Sequence, residues 1–155
     1  MNIKEYIRWL GKIIRKPDSF EAIKRISIFA DLNSFQLHEL NNYLHTRHYK
    51  AGEVIFEQGY PLDAIFFIIA GEVRVSGKLS GSDPITLREN DFIGIIDMFH
   101  EGTRSSTAMA VTEVNALAIS RSDLTNLIAR DKDMGLKILG AICRYLSSLN
   151  FSKSV

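Results

Sequence analysis

Residues 90–107 read Asn90-Asp91-Phe92-Ile93-Gly94-Ile95-Ile96-Asp97-Met98-Phe99-His100-Glu101-Gly102-Thr103-Arg104-Ser105-Ser106-Thr107. Gly94 supplies a turn that opens a short apolar helix, Gly102 ends it, and Arg104 follows beside three hydroxyl residues. Such a segment can aim backbone N–H groups, hydroxyls and a guanidinium at one anion, because turns and helix N-termini favour negative charge and arginine binds phosphate oxygens in pairs. Gly94, Ile95, Arg104, Ser105, Ser106 and Thr107 are the candidate ligand-binding residues, and the segment predicts a buried phosphate site.

Working upstream, short β-branched and aromatic runs alternate with glycines: 53–56, 64–70, 72–76 and 84–87 read as strands, punctuated by Gly52, Gly59, Gly71, Gly77 and Gly81. Before them, from about Tyr49 backwards, the pattern is helical. Ile3, Tyr6, Ile7, Leu10, Ile13 and Ile14 share one stripe, Phe20 and Ile23 open a second short helix, and Asn33 or Ser34 caps a third bearing Leu37, Leu40 and Leu44. Downstream, 106–111 and 114–119 are two more apolar runs. Ser120 then opens a helical region in which Met134, Ile138, Ile142, Tyr145 and Leu149 form a stripe. Helices, then many short strands, then helices predict an α+β fold: an antiparallel β-roll or jelly-roll barrel flanked by N-terminal and C-terminal helices. Residues 1–25 read as an N-terminal amphipathic helical segment and 26–155 as the domain proper, including the C-terminal helices.

These motifs together resemble the cyclic nucleotide-binding domain superfamily. Residues 90–107 look like its phosphate-binding cassette. Lys50-Ala51-Gly52-Glu53-Val54-Ile55, Glu57-Gln58-Gly59-Tyr60-Pro61-Leu62-Asp63-Ala64, Ile65-Phe66-Phe67-Ile68-Ile69-Ala70-Gly71-Glu72-Val73 and Ile28-Phe29-Ala30-Asp31-Leu32 are similar to family signatures in order and spacing. The resemblance implies that Arg104 pairs with the exocyclic oxygens of a cyclic phosphate, that the N–H groups of Ser105 and Ser106 add hydrogen bonds, and that Thr107 touches the base. Cyclic AMP or cyclic GMP is the implied ligand. One position departs from the family, which places a glutamate after the cassette glycine to hold the ribose 2′-hydroxyl; here Ile95 stands there. Losing that charge-assisted bond costs about 1.5–3 kcal/mol, roughly ten- to a hundred-and-fiftyfold in affinity. Asp97, two residues on, points elsewhere around a helix and is a poor replacement. The phosphate half is kept and the sugar half altered, which leaves weak cyclic-nucleotide binding, another small anion, or an internal occupant as the outcomes.

Other chemistries are disfavoured. Ser105, Ser106 and Thr107 lack a Gly-x-Ser-x-Gly elbow, so no hydrolase is expected. His38, His45, His48 and His100 lack metal-ligand spacing, and neither metal nor cofactor is expected. Cys143 has no partner in the chain, which suits a reducing cytoplasm, and it reads as core or interface packing within the last helical stripe. A net charge of +1 argues against direct DNA binding. The positive charge is concentrated early, with seven basic against three acidic residues in positions 1–25. That basic helix, with Trp9, reads as packing on its own domain rather than lying on an anionic membrane. No apolar run is long enough to span a bilayer, and no helix-turn-helix module is expected after the last helix. The expectation is a regulatory, non-enzymatic cytoplasmic module that senses a small anion and signals through protein contacts, with a homodimer through the C-terminal helix as one such contact. The alternative is a degenerate domain with no small-molecule ligand that acts as a protein interaction module.

Overall fold

The computed structural model describes residues 19–77, 83–99 and 102–151. The amphipathic stripe of residues 3–14, Trp9, Gly81 and His100 lie outside the described residues. In order, the elements are α1 (Ser19–Arg25), a 3-10 turn (Ser27–Phe29), α2 (Ser34–Asn41), β1 (His45–Tyr49), β2 (Val54–Phe56), β3 (Ala64–Ala70), β4 (Val73–Gly77), β5 (Ile85–Leu87), β6 (Phe92–Ile93), α3 (Ile95–Met98), β7 (Ser106–Ala110), β8 (Val114–Ser120), α4 (Arg121–Arg130) and α5 (Lys132–Phe151). The strands form two antiparallel sheets, ordered β1-β8-β3-β6 and β2-β7-β4-β5, closed into a jelly roll with helices at both ends. The expected α+β roll is the fold observed.

The strand β3 explains how roll and helices share one core. Its seven residues are apolar throughout because both faces are covered. Ile65 and Phe67 face the helices, where they join Ile23 and Ile26, Leu124 and Leu127, and Met134 and Ile138 in the larger hydrophobic cluster. Ile68 faces the roll and meets Val73, Val75, Ala108 and Val114 in the smaller one. The turn into β4 requires glycine: Gly71 has φ +96°, and a Cβ there would run into the carbonyl oxygen of Glu113.

Two boundaries depart from the sequence reading. The helix expected to reach Leu44 ends at Asn41, and β1 begins at His45, earlier than the strand pattern near Tyr49 predicts. His-Thr-Arg-His-Tyr carries no alternating apolar face, and β1 exists because it pairs along its length with residues 114–118 of β8. Phe92–Ile93, to which the sequence reading assigns no strand, likewise becomes the edge strand β6 by pairing with Phe66 and Phe67.

Helix starts follow local chemistry. Asn33 accepts the N–H of Gln36 while the Gln36 side chain accepts the N–H of Asn33, a reciprocal cap, and Ser120 caps α4 by accepting the Asp123 N–H. On α5, Met134, Ile138 and Ile142 are buried against the domain's own core, Tyr145 is half-buried, and Leu136, Leu139 and Leu149 are exposed. Cys143 is a correction. It lies about 100° around the helix from Ile142, off the buried stripe, and is exposed.

Polar links tie the N-terminal helices to α4 and α5. Gln36 donates to Asp133 (2.8 Å) and accepts from Lys137 (3.2 Å), Lys137 pairs with Asp133 (2.7 Å), Arg130 with Glu39 (3.2 Å) and Arg144 with Asp31 (2.7 Å). The hydrogen bond from Lys137, then that from Gln36, holds the Asp133 carboxyl below its usual pKa. A depressed folded-state pKa means that Asp133 contributes fully above the ordinary carboxylate range and loses that contribution as pH falls through the folded value. The melting-temperature difference between wild type and Asp133→Asn is therefore expected to shrink below about pH 4. Melts from pH 7 to pH 3 check it; an offset that stays constant across the range contradicts it.

Candidate functional site

Arg104 is fixed first through its backbone. Its N–H donates to the Tyr60 carbonyl (2.8 Å), its carbonyl accepts from Gly59 (2.9 Å), and the neighbouring Gly102 carbonyl accepts from Leu62 (2.7 Å). Pro61 and Thr103 complete this short bridge. The side chain then runs inward and is only 4% exposed. Nη2 donates to the Ala64 carbonyl at 2.7 Å, and Cζ lies 3.8 Å from the centroid of Phe56 and 5.6 Å from that of Phe66. A guanidinium over aromatic faces gains cation–π attraction but no hydrogen bonds there. Its Nε and Nη1 have no hydrogen-bond partner among the described residues. Burial pushes the Arg104 pKa below its usual value, opposed by the negative charges of Asp63 and Asp97. The group stays charged at neutral pH.

Arg104 borders a cavity of about 410 Å³ whose other walls include Phe56, Glu57, Tyr60, Asp63 and Phe66. That volume falls in the range of small-molecule sites. Phe56 and Phe66 come from β2 and β3, strands that are apolar throughout, so their direction into the roll is set by strand pairing and not by an alternation legible in the sequence.

The six candidate residues do not all converge on this cavity. Gly94 does meet Arg104: with φ +102° it turns β6 into α3, and a Cβ there would stand 2.9 Å from Arg104 Nη1 and 3.3 Å from Leu62 Cδ1. The backbone must approach the guanidinium this closely, and only glycine allows it. Ile95 is 1% exposed and packs in the helix-side core that also holds Leu62, Phe92 and Met98. It borders a separate cavity of about 30 Å³, shared with Leu87, Asp97 and Tyr145, which has room for about one water. The Ser105 N–H donates to Asp97 Oδ2 at 3.2 Å. The hydroxyls of Ser105 and Ser106 are buried without a hydrogen-bond partner among the described residues. Thr107 Oγ1 accepts the Gln58 N–H at 3.0 Å, so it holds the end of β2 against β7.

Asp97 is the residue that sequence reasoning passed over. It is 5% exposed and its carboxylate caps the arginine-serine turn from within. Helical spacing alone turns it away from Ile95's direction, and nothing in the spacing reports that the turn at 102–105 folds back onto it. Among the described residues, no group of three His, Cys, Asp or Glu side chains is placed to hold a metal, and no helix is long and apolar enough to cross a membrane.

The family model described as "Cyclic nucleotide-binding domain" matches residues 46–131. A CRP-like cAMP-activated global transcriptional regulator of Mycobacterium tuberculosis is 26% identical over 133 residues, covering 84% of this chain and 59% of that protein. A cyclic nucleotide-gated potassium channel of Rhizobium etli is 30% identical over 113 residues, covering 71% of this chain and 31% of the channel. The chain thus spans from about a third to about three-fifths of the length of such relatives. Among solved structures, the N-terminal domain of a transcriptional regulator from Streptomyces coelicolor superposes with a TM-score of 0.70 at 26% identity, covering 86% of this chain and 96% of that one. A cyclic nucleotide-binding domain from Methylobacillus flagellatus gives a TM-score of 0.74 at 22% identity over 88% of this chain and 80% of that one, a likeness of fold.

Proposed function

Since the chain belongs to the cyclic nucleotide-binding domain family, we propose that it is a regulatory, non-catalytic cytoplasmic domain that binds a small anionic ligand through Arg104 and reports the bound state to a protein partner. The observation that carries this reading is the buried Arg104 head, with Nε and Nη1 unpaired beside a cavity of about 410 Å³. Leaving buried donors of a charged group unpaired is costly, and an anion that accepts from them removes the cost. Cyclic AMP and cyclic GMP are the first candidates, held weakly because Ile95 offers no acceptor to a ribose. Another small anion that needs Arg104 alone is the remaining candidate of this class. In this reading Gly94 gives the guanidinium room, Ser105 and Ser106 supply neighbouring donors, the Ser105 N–H only on release from Asp97, and Thr107 holds the end of β2 against β7.

The output element is α5. Tyr145 packs on Phe92 with ring centroids 4.7 Å apart, and Phe92 lies two residues before Gly94. A ligand that shifts the turn at Gly94 therefore bears on α5 through one aromatic contact. A second copy of the chain would meet α5 on the face bearing Leu136 and Leu139, since Met134, Ile138 and Ile142 are already covered.

Calorimetric titration of wild type and Arg104→Ala with cyclic AMP and cyclic GMP tests the reading. Arg104→Ala is expected to weaken binding at least about tenfold, the worth of a charge-assisted hydrogen bond, while its circular dichroism stays that of a folded domain. Equal binding by both proteins overturns the role given to Arg104. The second reading, an interaction module without a small ligand, is favoured by Asp97 holding the Ser105 N–H and by Ile95 sitting in the core. It predicts no heat from either protein.

A further inference from the structure

Arg104, Ser105 and Ser106 make a donor-rich turn, and the structure supplies an anion to part of it from the chain itself. The Ser105 N–H donates to Asp97 Oδ2 at 3.2 Å, the carboxylate is 5% exposed, and no other hydrogen-bond donor to it is found among the described residues. The guanidinium of Arg104 makes no hydrogen bond to this carboxylate, although the negative charge of Asp97 favours its charged form. It is tethered to the Ala64 carbonyl and stacked on Phe56, so its Nε and Nη1 are left over while the backbone donor is taken.

We propose that Asp97 is a built-in anion that occupies the Ser105 donor, and thereby sets the specificity of the Arg104 site against cyclic phosphodiesters. The inference rests on the reading of Arg104 as the anion-binding group. A phosphodiester can reach Arg104 from the larger cavity, but to use the Ser105 N–H as well it must displace a buried carboxylate of its own sign. In surroundings of low dielectric, two anions that compete for one donor repel strongly, and the internal one is held covalently in place. Ligands that engage Arg104 alone do not meet this obstacle. Asp97 therefore selects for compact anions bound from the side of Phe56, Tyr60 and Asp63, and against a nucleotide whose phosphate must span both donors.

The test titrates cyclic AMP and cyclic GMP into wild type, Asp97→Ala, Asp97→Asn and the double variant Asp97→Ala/Arg104→Ala, with thermal melts to verify folding. Asp97→Ala is expected to bind at least about tenfold tighter than wild type, because it frees the Ser105 N–H and removes the opposing charge. Asp97→Asn keeps an oxygen that can accept from Ser105 but removes the charge, so a smaller gain is expected. It carries the test if the alanine variant does not fold. The double variant is expected to lose the gain. A merely structural role for Asp97 would change the melting temperature without creating Arg104-dependent affinity. Folded Asp97 variants that bind no tighter than wild type, or a gain that survives Arg104→Ala, overturn the proposal. Weak wild-type binding that Arg104→Ala removes, with no gain in the Asp97 variants, leaves the Arg104 reading standing and sinks this one. A gain in the Asp97 variants with no wild-type binding supports the role of Asp97 and sinks the reading of the unaltered chain as a cyclic-nucleotide sensor.

Discussion

Replacing Ile95 by glutamate is expected to destabilise the domain by about 3–5 kcal/mol, the cost of an uncompensated buried charge, rather than to improve a ligand contact. Ile95 is 1% exposed and packs in the core cluster that holds Leu62, Phe92 and Met98. The cavity it borders, about 30 Å³, is lined by Asp97 as well. A carboxylate introduced there meets apolar walls and a like charge, so the neutral form is the one the core accepts. The deficit is therefore expected to grow as pH rises through the carboxyl's range, since the folded-state pKa of such a group lies above its unfolded value. Urea unfolding of Ile95→Glu and wild type at pH 5 and pH 8 measures this. Unchanged stability together with tighter cyclic-nucleotide binding would contradict it, and would mean that the side chain at 95 turns into the Arg104 cavity to serve a ribose, as the family resemblance implies for a glutamate.

Phe67→Ala is expected to cost about 3–5 kcal/mol. Phe67 is fully buried on β3, paired on one side with Leu117 of β8 and on the other with Phe92 of β6. Its ring meets Phe29 edge-on, with centroids 5.0 Å apart. That contact joins the roll to the 3-10 turn, which in turn packs against α5, so little around the site is free to collapse into the space left behind. The neighbouring Phe66 points to the opposite face of the same strand, towards Phe56 and Arg104. Denaturant midpoints of Phe67→Ala and wild type, with the slope unchanged, give the loss. A loss under about 1 kcal/mol would mean that the helices and the roll are held together by other contacts.

Much of this organisation was legible in the residue order. The continuous apolar run of β3 marks a strand covered on both faces, the caps at Asn33 and Ser120 mark two helix starts, and the Met134, Ile138 and Ile142 stripe marks the face of α5 that turns inward. Where the sequence was mute, partners distant in the chain made the structure. His45–Tyr49 has no apolar alternation and becomes a strand because β8 offers it an edge; Phe92–Ile93 pairs with β3 for the same reason. Cys143 falls one position off the buried stripe, a distinction of about 100° around a helix that a list of apolar residues blurs.

By itself, the sequence determined the class of fold and the place of the glycine turn at 94, and it singled out Arg104, which the structure buries. These depend on local preferences: positive φ at glycine, side-chain alternation along strands, and the spacing of a turn from a cationic residue. The tertiary structure decided the directions in which the side chains of that segment face. It stacked Arg104 on Phe56, turned Ile95 into the helix-side core, and folded the turn at 102–105 back so that Asp97 accepts the Ser105 N–H. None of those choices is encoded in spacing along the chain. Each is set by which apolar surface must be covered and which buried donor must be satisfied once both sheets and the helices have closed on one another.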